Sequence, residues 1–475
     1  MLLISRAALV RPTLKPFSIE RNPTVTGMRA DARPAQGNFW QESQERRDIA
    51  PPLNGSINVD VAVIGAGYTG LATAYHLKTA DPSLAVAVLE SETAGFGASG
   101  RNAGFVMTLF GASLGLMKSL HGGDKVREAH DYMIDSIAGL EAMIAEHAID
   151  CDYERSGFLK VATAPRYVSR IRDEIELFGK LGIGGYRWLD AGELAARVRS
   201  PTFLGGCLEP GCGLLNPRKW VDALRRLAMA RGAQLFEGSR VTGVDRLNGR
   251  FRIVTERGTA TAEKVVFATN GYTHLIPGMA SKQLPAFTFI IVTEPLSPEQ
   301  RAAIGWAGRE GIEDGRNFMH FFRLTPDNRL LVGGGPGFIP FAGNMQSDSY
   351  PKAWEHLQRF IGETFPALRG IRIAYRWGGA FSVTSDSTPQ IGTLHDGAAV
   401  YSIGCTGHGV AMTHMNGRII RDLVLGRKTP LSELWFVNRR SMPIPPEPFR
   451  SIGARAVTAA MALDDWWCDR SSGRA

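Results

Sequence analysis

An α/β fold with two sheets, one parallel and one antiparallel, is what this 475-residue sequence predicts. Three observations carry it. The run Val59-Asp60-Val61-Ala62-Val63-Ile64-Gly65-Ala66-Gly67-Tyr68-Thr69-Gly70 orders strand, turn and helix start; a second apolar run, Val86 to Leu89, closes on Glu90; and aromatic-rich strands gather between residues 283 and 370. Val61 to Ile64 reads as a buried strand, Gly65 makes the tight turn, Gly67 lets backbone approach a pyrophosphate, and Gly70 with Ala74 lets the next helix pack closely. The positive end of that helix, entered through Ala66, Tyr68 and Thr69, faces phosphates. Glu90, followed by Ser91, stands about 20 residues past the fingerprint, where an acid accepts hydrogen bonds from ribose hydroxyls and repels a phosphorylated ribose. This is a Rossmann-like dinucleotide site. A glycine-rich turn of an ordinary parallel sheet leaves Glu90 unexplained.

The length implies two domains with a sizeable shared core, and 44% hydrophobic with 21% charged residues is a globular composition. The net charge of +8 comes without a block of like charges or a recognition motif, so it is read as solubility and not as nucleic-acid binding. Five cysteines, an odd number, argue for a reducing, cytoplasmic compartment. Cys207 and Cys212 are a near pair without further ligands at metal spacing, so no metal site is expected. No apolar stretch is long enough to span a bilayer. Residues 1–38, with Arg6, Arg11, Arg21, Arg29 and Arg33 and few acids, read as a disordered extension, or as sequence before a true start at Met28.

Past Glu90 lies a small-residue loop, Gly97-Ala98-Ser99-Gly100-Arg101-Asn102-Ala103-Gly104, suited to pressing backbone against a flat ring while offering donors. Residues 124–148 have helical periodicity, with Tyr132, Ile134, Ile137, Leu140, Met143 and Ile144 near one face. Gly157 to Thr163 reads as a strand, and Arg166 to Lys180 and Arg218 to Arg231 as helices. A meander of short strands follows from Gln234, turning at Asn248-Gly249 and Arg257-Gly258 and covering one sheet face. Lys264 to Phe267 then leads through Ala268 into Thr269-Asn270-Gly271, a strand end back at the nucleotide. Phe287 to Thr293, Phe318 to Leu324 and Leu330 to Gly334, with a helix from Tyr350 to Thr364, suit an antiparallel sheet walling a cavity. Gly404-Cys405-Thr406-Gly407-His408-Gly409 opens a final core helix. Pro443, Pro445, Pro446 and Pro448 form an extended linker before a helical run from Ile452 to Trp467.

These pieces, with Trp377-Gly378-Gly379 and Thr384 to Gly392, resemble the D-amino-acid-oxidase-like family of FAD-dependent oxidoreductases, and within it the gamma-glutamylputrescine oxidoreductase group, over roughly residues 37–430. The resemblance implies a discontinuous FAD domain (39–150, 200–282 and 371–430), a substrate domain (151–199 and 283–370) and a C-terminal linker and helix (431–475). It implies that the Arg101 loop passes the flavin, that Val241 presents backbone to the adenine, and that Gly404 to Gly409, with Val410 and Ala411, faces the pyrimidine end. Amides and a helix dipole there favour charge on the reduced ring. Some relatives attach flavin through a cysteine near the Gly379 position; Arg376 to Phe381 holds none, so FAD is expected to be noncovalent. Sarcosine-oxidase-like members carry a carboxylate-binding lysine where this chain has Ala411, which favours an amine with no carboxylate beside its reacting end.

The implied reaction is hydride removal from the carbon beside an amine, gamma-glutamylputrescine or a related one, giving an imine that water hydrolyses. It asks for positioning and desolvation more than acid–base machinery. On a strand through Asn317 to Arg323, alternate residues Phe318, His320 and Phe322 share one face and Met319, Phe321 and Arg323 the other. His320 and Arg323 are expected to touch substrate, Trp377 to wall the cavity or pack, and His408 to hold loop backbone or move protons. Oxidation of a secondary or cyclic amino acid, a flavin-binding redox sensor and a nicotinamide-dependent dehydrogenase stay open beside the amine reading. Oxygen and a quinone are alternative acceptors, and the C-terminal helix either docks or rests on a membrane surface.

Overall fold

The computed structural model describes residues 37–43, 48–276, 278–337, 339–345 and 349–470. Apart from Gly37 and Asn38, the expected N-terminal extension lies outside the described residues.

The first sheet is built where the fingerprint put it. Gly55–Ile64 lies parallel between Gly258–Phe267 and Val86–Leu89, with Gln234–Phe236 beyond the latter and Ala399–Ile403 beyond the former; Gln390–Leu394 closes the edge antiparallel. Side chains alternate as strand geometry requires. Val61, Val63, Val86, Val88, Val266 and Val400 enter one core with the helices Tyr68–Ala80, Pro217–Ala230 and Gly409–Val424, while Ala62, Ile64, Leu89, Val265, Phe267 and Tyr401 enter a second core on the opposite face. A parallel sheet covered on both faces is the outcome. The meander strands Val241–Leu247 and Arg250–Thr255 are hydrogen-bonded onto the edge of Gly258–Phe267 and still send Phe251 and Ile253 into the second core.

The second sheet runs in the order Ile373–Val383, Leu284–Pro295, Arg329–Gly334, His320–Leu324, Gly311–Asp314, Phe158–Ala162, Gly205–Glu209, Arg187–Asp190. Its pairs are antiparallel except Gly311–Asp314 with Phe158–Ala162. One face packs on the helix Pro351–Thr364 through Phe289, Ile291, Phe322 and Phe360; the other carries Ile290, Val292, Leu331 and Trp377 against Trp40 and Ala103. Gly205–Glu209 and Ile373–Val383 belong to this sheet, although the expected boundaries at 200 and 371 gave both segments to the nucleotide domain. Backbone pairing, which those boundaries could not register, decides their place.

In the helix Gly123–Glu146 the buried stripe includes Tyr132, Ile137, Leu140 and Met143; Ile134, expected on it, is exposed because the helical advance of about 100° per residue puts it roughly 140° round the axis from the centre of that stripe. The segment after residue 430 is tied down before any linker begins. Arg439 grips Asp386 bidentately at 2.7 and 2.8 Å, and Phe436 is buried against Phe110 and Tyr132. The C-terminal helix, Phe449–Arg470, docks through polar residues. Asp465 accepts the backbone N–H groups of Asn317 and Phe318 at 2.8 and 2.9 Å, and Asp464 pairs with Arg170 at 2.8 Å.

Candidate active site

The turn at Gly65 and the start of the next helix are in backbone contact. A Cβ on Gly70 would lie 1.9 Å from the Gly65 oxygen, one on Gly65, where φ is +105°, would lie 2.7 Å from the Ala268 oxygen, and one on Gly67 would lie 2.8 Å from Ser99 Oγ. Only glycine fits this crossing of three chain segments. Glu90, nearly buried, accepts the Ala66 N–H at 2.8 Å through one oxygen, and the Glu92 N–H and the Ser91 hydroxyl at 3.1 Å each through the other. Desolvation pushes its carboxyl above the usual range. The Ser239 N–H donates to the Glu90 carbonyl at 2.7 Å, which brings Val241 to the same end of the sheet. Thr269 hydrogen-bonds Thr273 at 2.8 Å, and Gly271 packs close against Ala380.

The small-residue loop is fixed by its carbonyls. Asn38 Nδ2 donates to Gly100 O at 2.6 Å, Trp377 Nε1 to Arg101 O at 2.8 Å, Trp40 Nε1 to Asn102 O at 2.9 Å and Arg323 Nη1 to Ala103 O at 3.1 Å. Consecutive acceptors are thus held by side chains from distant parts of the sequence. Arg101 reaches back to Phe96 O at 2.8 Å and across to Gly378 O at 3.1 Å, beside Gly379. Asn102 ties the turn internally, donating to Ala98 O, Ser99 O and the Tyr68 hydroxyl while its Oδ1 accepts the Gly104 N–H at 2.8 Å. Ser99 Oγ accepts the Tyr68 N–H at 2.9 Å, so this loop also caps the fingerprint helix.

Across the site, Gly404 at φ +74°, Thr406 at +49° and Gly407 at +86° make a contorted turn into the helix Gly409–Val424. Ser382 fixes it, its hydroxyl accepting the Gly404 N–H at 2.9 Å and its carbonyl the Thr406 N–H at 3.1 Å. His408 is the N-cap residue, Nδ1 has no hydrogen-bond partner among the described residues, and Val410 and Ala411 are buried. Desolvation pushes His408 down to about 4, so the ring is neutral near pH 7 and can exchange one hydrogen bond without adding charge. His414, fully buried further along the same helix, is likewise pushed down to about 4 by desolvation.

An unfolded chain protonates such imidazoles near pH 6.5 and the folded chain only near 4. Their stabilising contribution is therefore complete above about pH 6.5 and is lost as pH falls through about 4, at up to ~1.4 kcal/mol per pH unit per ring. Calorimetric melting between about pH 7 and about pH 4.5 should show a falling midpoint, and His414→Gln should flatten that slope.

Residues 60–423 match the family model described as DAO, FAD dependent oxidoreductase. The chain belongs to that family. It is 32% identical over 424 residues to the gamma-glutamylputrescine oxidoreductase of Escherichia coli K12, covering 88% of this chain and 96% of that one. The sarcosine oxidase subunit beta of Rhodobacter capsulatus is 25% identical over 80% of this chain and 88% of its own length. Among solved structures, glycine oxidase from Geobacillus kaustophilus superposes with a TM-score of 0.69 at 20% identity, covering 81% of this chain and 99% of that one, and shares the fold. The residues of this FAD-dependent oxidoreductase fit the cofactor: a tight glycine turn, whose chain crossing a Cβ at Gly65 or Gly70 would break, leads into a helix N-terminus with a buried acid beside it.

In this FAD-dependent oxidoreductase the two polar residues of the aromatic strand expected to touch substrate, His320 and Arg323, are both buried. His320 points to the face packed on the helix Pro351–Thr364, held by Asp314 at 2.8 Å and His356 at 2.8 Å and stacked on Phe360 at 4.0 Å. It is a buried structural group. Arg323 does point toward the loops, but it is spent on Ala103 O and on Leu215 O at 2.8 Å and is fully buried, which removes it as a direct substrate contact. Trp377 is both packing and loop anchor. Sequence reasoning missed Asn38, which it assigned to the extension, and Trp40. Their signal was the cap-and-aromatic run Asn38-Phe39-Trp40 at the edge of the ordered chain.

Proposed function

We propose that this FAD-dependent oxidoreductase oxidises the C–N bond of an amine, gamma-glutamylputrescine or a close relative, using noncovalent FAD. The observation that carries the reading is 32% identity to gamma-glutamylputrescine oxidoreductase along nearly the whole of both chains. Bound flavin supplies a hydride acceptor. Around it the chain supplies apolar surface: Phe105 and Phe321, half-buried against the cluster of Trp377 and Ile290 on the second sheet, suit an amine that must be uncharged to react. A neutral His408 and the N–H groups at the start of its helix suit charge appearing on the reduced ring. Ala411, where sarcosine-oxidase-like members carry a carboxylate-binding lysine, favours an amine with no carboxylate beside its reacting end over a simple N-methyl amino acid.

Oxygen or a quinone as acceptor belongs to the same proposal. So does a cytoplasmic location, favoured by five free thiols, and peripheral membrane contact through the C-terminal helix, whose exposed residues include Phe449, Ile452, Val457, Leu463 and Trp466. The test is a panel of primary amines set against pipecolate, proline, glycine and sarcosine, scored by aldehyde product with oxygen or quinone supplied. Turnover confined to the amino acids would overturn the reading.

A further inference from the structure

Resting on that reading, we propose that the cavity between the second sheet and the helix Pro165–Lys180 is a subsite for an ammonium group at the far end of the amine substrate, bound by Glu313 and Glu209. The cavity has a volume of about 80 Å³; its wall is mostly apolar, and into it the sheet and the helix set Lys160, Glu174, Glu209 and Glu313, with Tyr186 and His130 also lining it. It adjoins the flavin loop through the chain itself. Ala103 packs with Phe105, and Phe105 with Met107 and Phe158.

The charges do not balance. Lys160 Nζ is 2.7 Å from Glu174 and 3.8 Å from Glu313, and among the described residues it is the sole ammonium lining the cavity against three carboxylates. Glu209 is held by the hydroxyls of Tyr186, at 3.0 Å, and Thr108. Glu313 is 4% exposed, and among the described residues no hydrogen bond reaches its carboxylate. A buried acid that shares its cation with a second, closer carboxylate is costly unless a guest supplies charge and donors. Desolvation pushes Glu313 up to about 7 and raises Glu209 as well, so burial favours their neutral forms and an ammonium in the cavity would favour the charged ones. An ammonium carries three donors on one centre, which suits a cavity whose wall holds Glu313 and Glu209 on two strands of one sheet, with the Lys160 strand between them.

The class this defines is an amine with a second ammonium, either an unmodified diamine or an amine bearing an amino-acid head. Holoenzyme, Glu313→Gln and Glu209→Gln are compared on putrescine, gamma-glutamylputrescine, butylamine and N-acetylputrescine, by kcat/KM and by calorimetric binding. The holoenzyme should favour at least one of the first two over the uncharged-tail pair, and each variant should shrink that preference by about tenfold to a hundredfold, the range of a lost charge-assisted hydrogen bond. Which of the first two is favoured separates the sources of the ammonium. Equal binding of charged and uncharged tails by the holoenzyme, or an undiminished preference in both variants, would overturn the subsite. Flavin reduction by no amine at all would overturn the proposed function instead, while the binding preference would still report on the subsite.

Discussion

Gly70→Ala should yield a folded protein that purifies largely without flavin. The new methyl carbon would stand 1.9 Å from Gly65 O and 3.2 Å from Val63 Cγ1, so either the turn or the helix must move. Gly65 cannot yield toward the neighbouring strand, because its own position already abuts Ala268 O. Overpacking of this kind costs ~1–3 kcal/mol, and if the cost falls on the nucleotide cradle, cofactor affinity drops about 5-fold to 150-fold. The check is flavin content on purification followed by a reconstitution titration. Gly115, on a solvent-facing helix position where an added methyl group would meet no other atom within 4 Å, is the control: Gly115→Ala should keep its flavin and gain up to ~1 kcal/mol. Equal flavin retention by both variants would contradict the cradle.

Trp40→Ala should be among the most destabilising single changes in the chain. The indole is fully buried, and its Nε1 is the donor for Asn102 O in the small-residue loop Gly97 to Gly104. Truncating a buried tryptophan costs ~3–5 kcal/mol through lost burial and the cavity left behind. Trp40→Phe keeps most of the packing and removes the donor, for ~1 kcal/mol. Denaturant melts would rank the two. The rate of flavin release would then show whether the loop depends on the hydrogen bond: it should rise in Trp40→Phe as well as in Trp40→Ala. Release from Trp40→Phe at the original rate would mean that Trp40 only packs.

What could be read from the chain alone follows from how local each constraint is. Gly65, Gly67, Gly70 and Glu90 obey a rule of spacing within one strand-turn-helix-strand unit, and the structure places all of them at one sheet end. Helix and strand periods are legible for the same reason. The side to which His320 points is not, because alternation says which residues share a face and not which face meets the cofactor; Asp314, His356 and Phe360 on other elements decide that. Arg323 escapes sequence reasoning because its acceptors are main-chain carbonyls at Ala103 and Leu215, which no side-chain pattern marks. The Lys160 and Glu313 pair leaves a faint trace, charges inside the apolar strands Phe158–Ala162 and Gly311–Asp314, but only the pairing of those strands brings them together.

Whether an amine delivers its electrons to the flavin is decided by an anaerobic titration of the purified, flavin-loaded protein with gamma-glutamylputrescine, following the visible absorption of the cofactor. Stoichiometric bleaching, restored on admitting oxygen or a quinone, is the expected result. Flavin that stays oxidised in the presence of this and every other primary amine would refute amine oxidation.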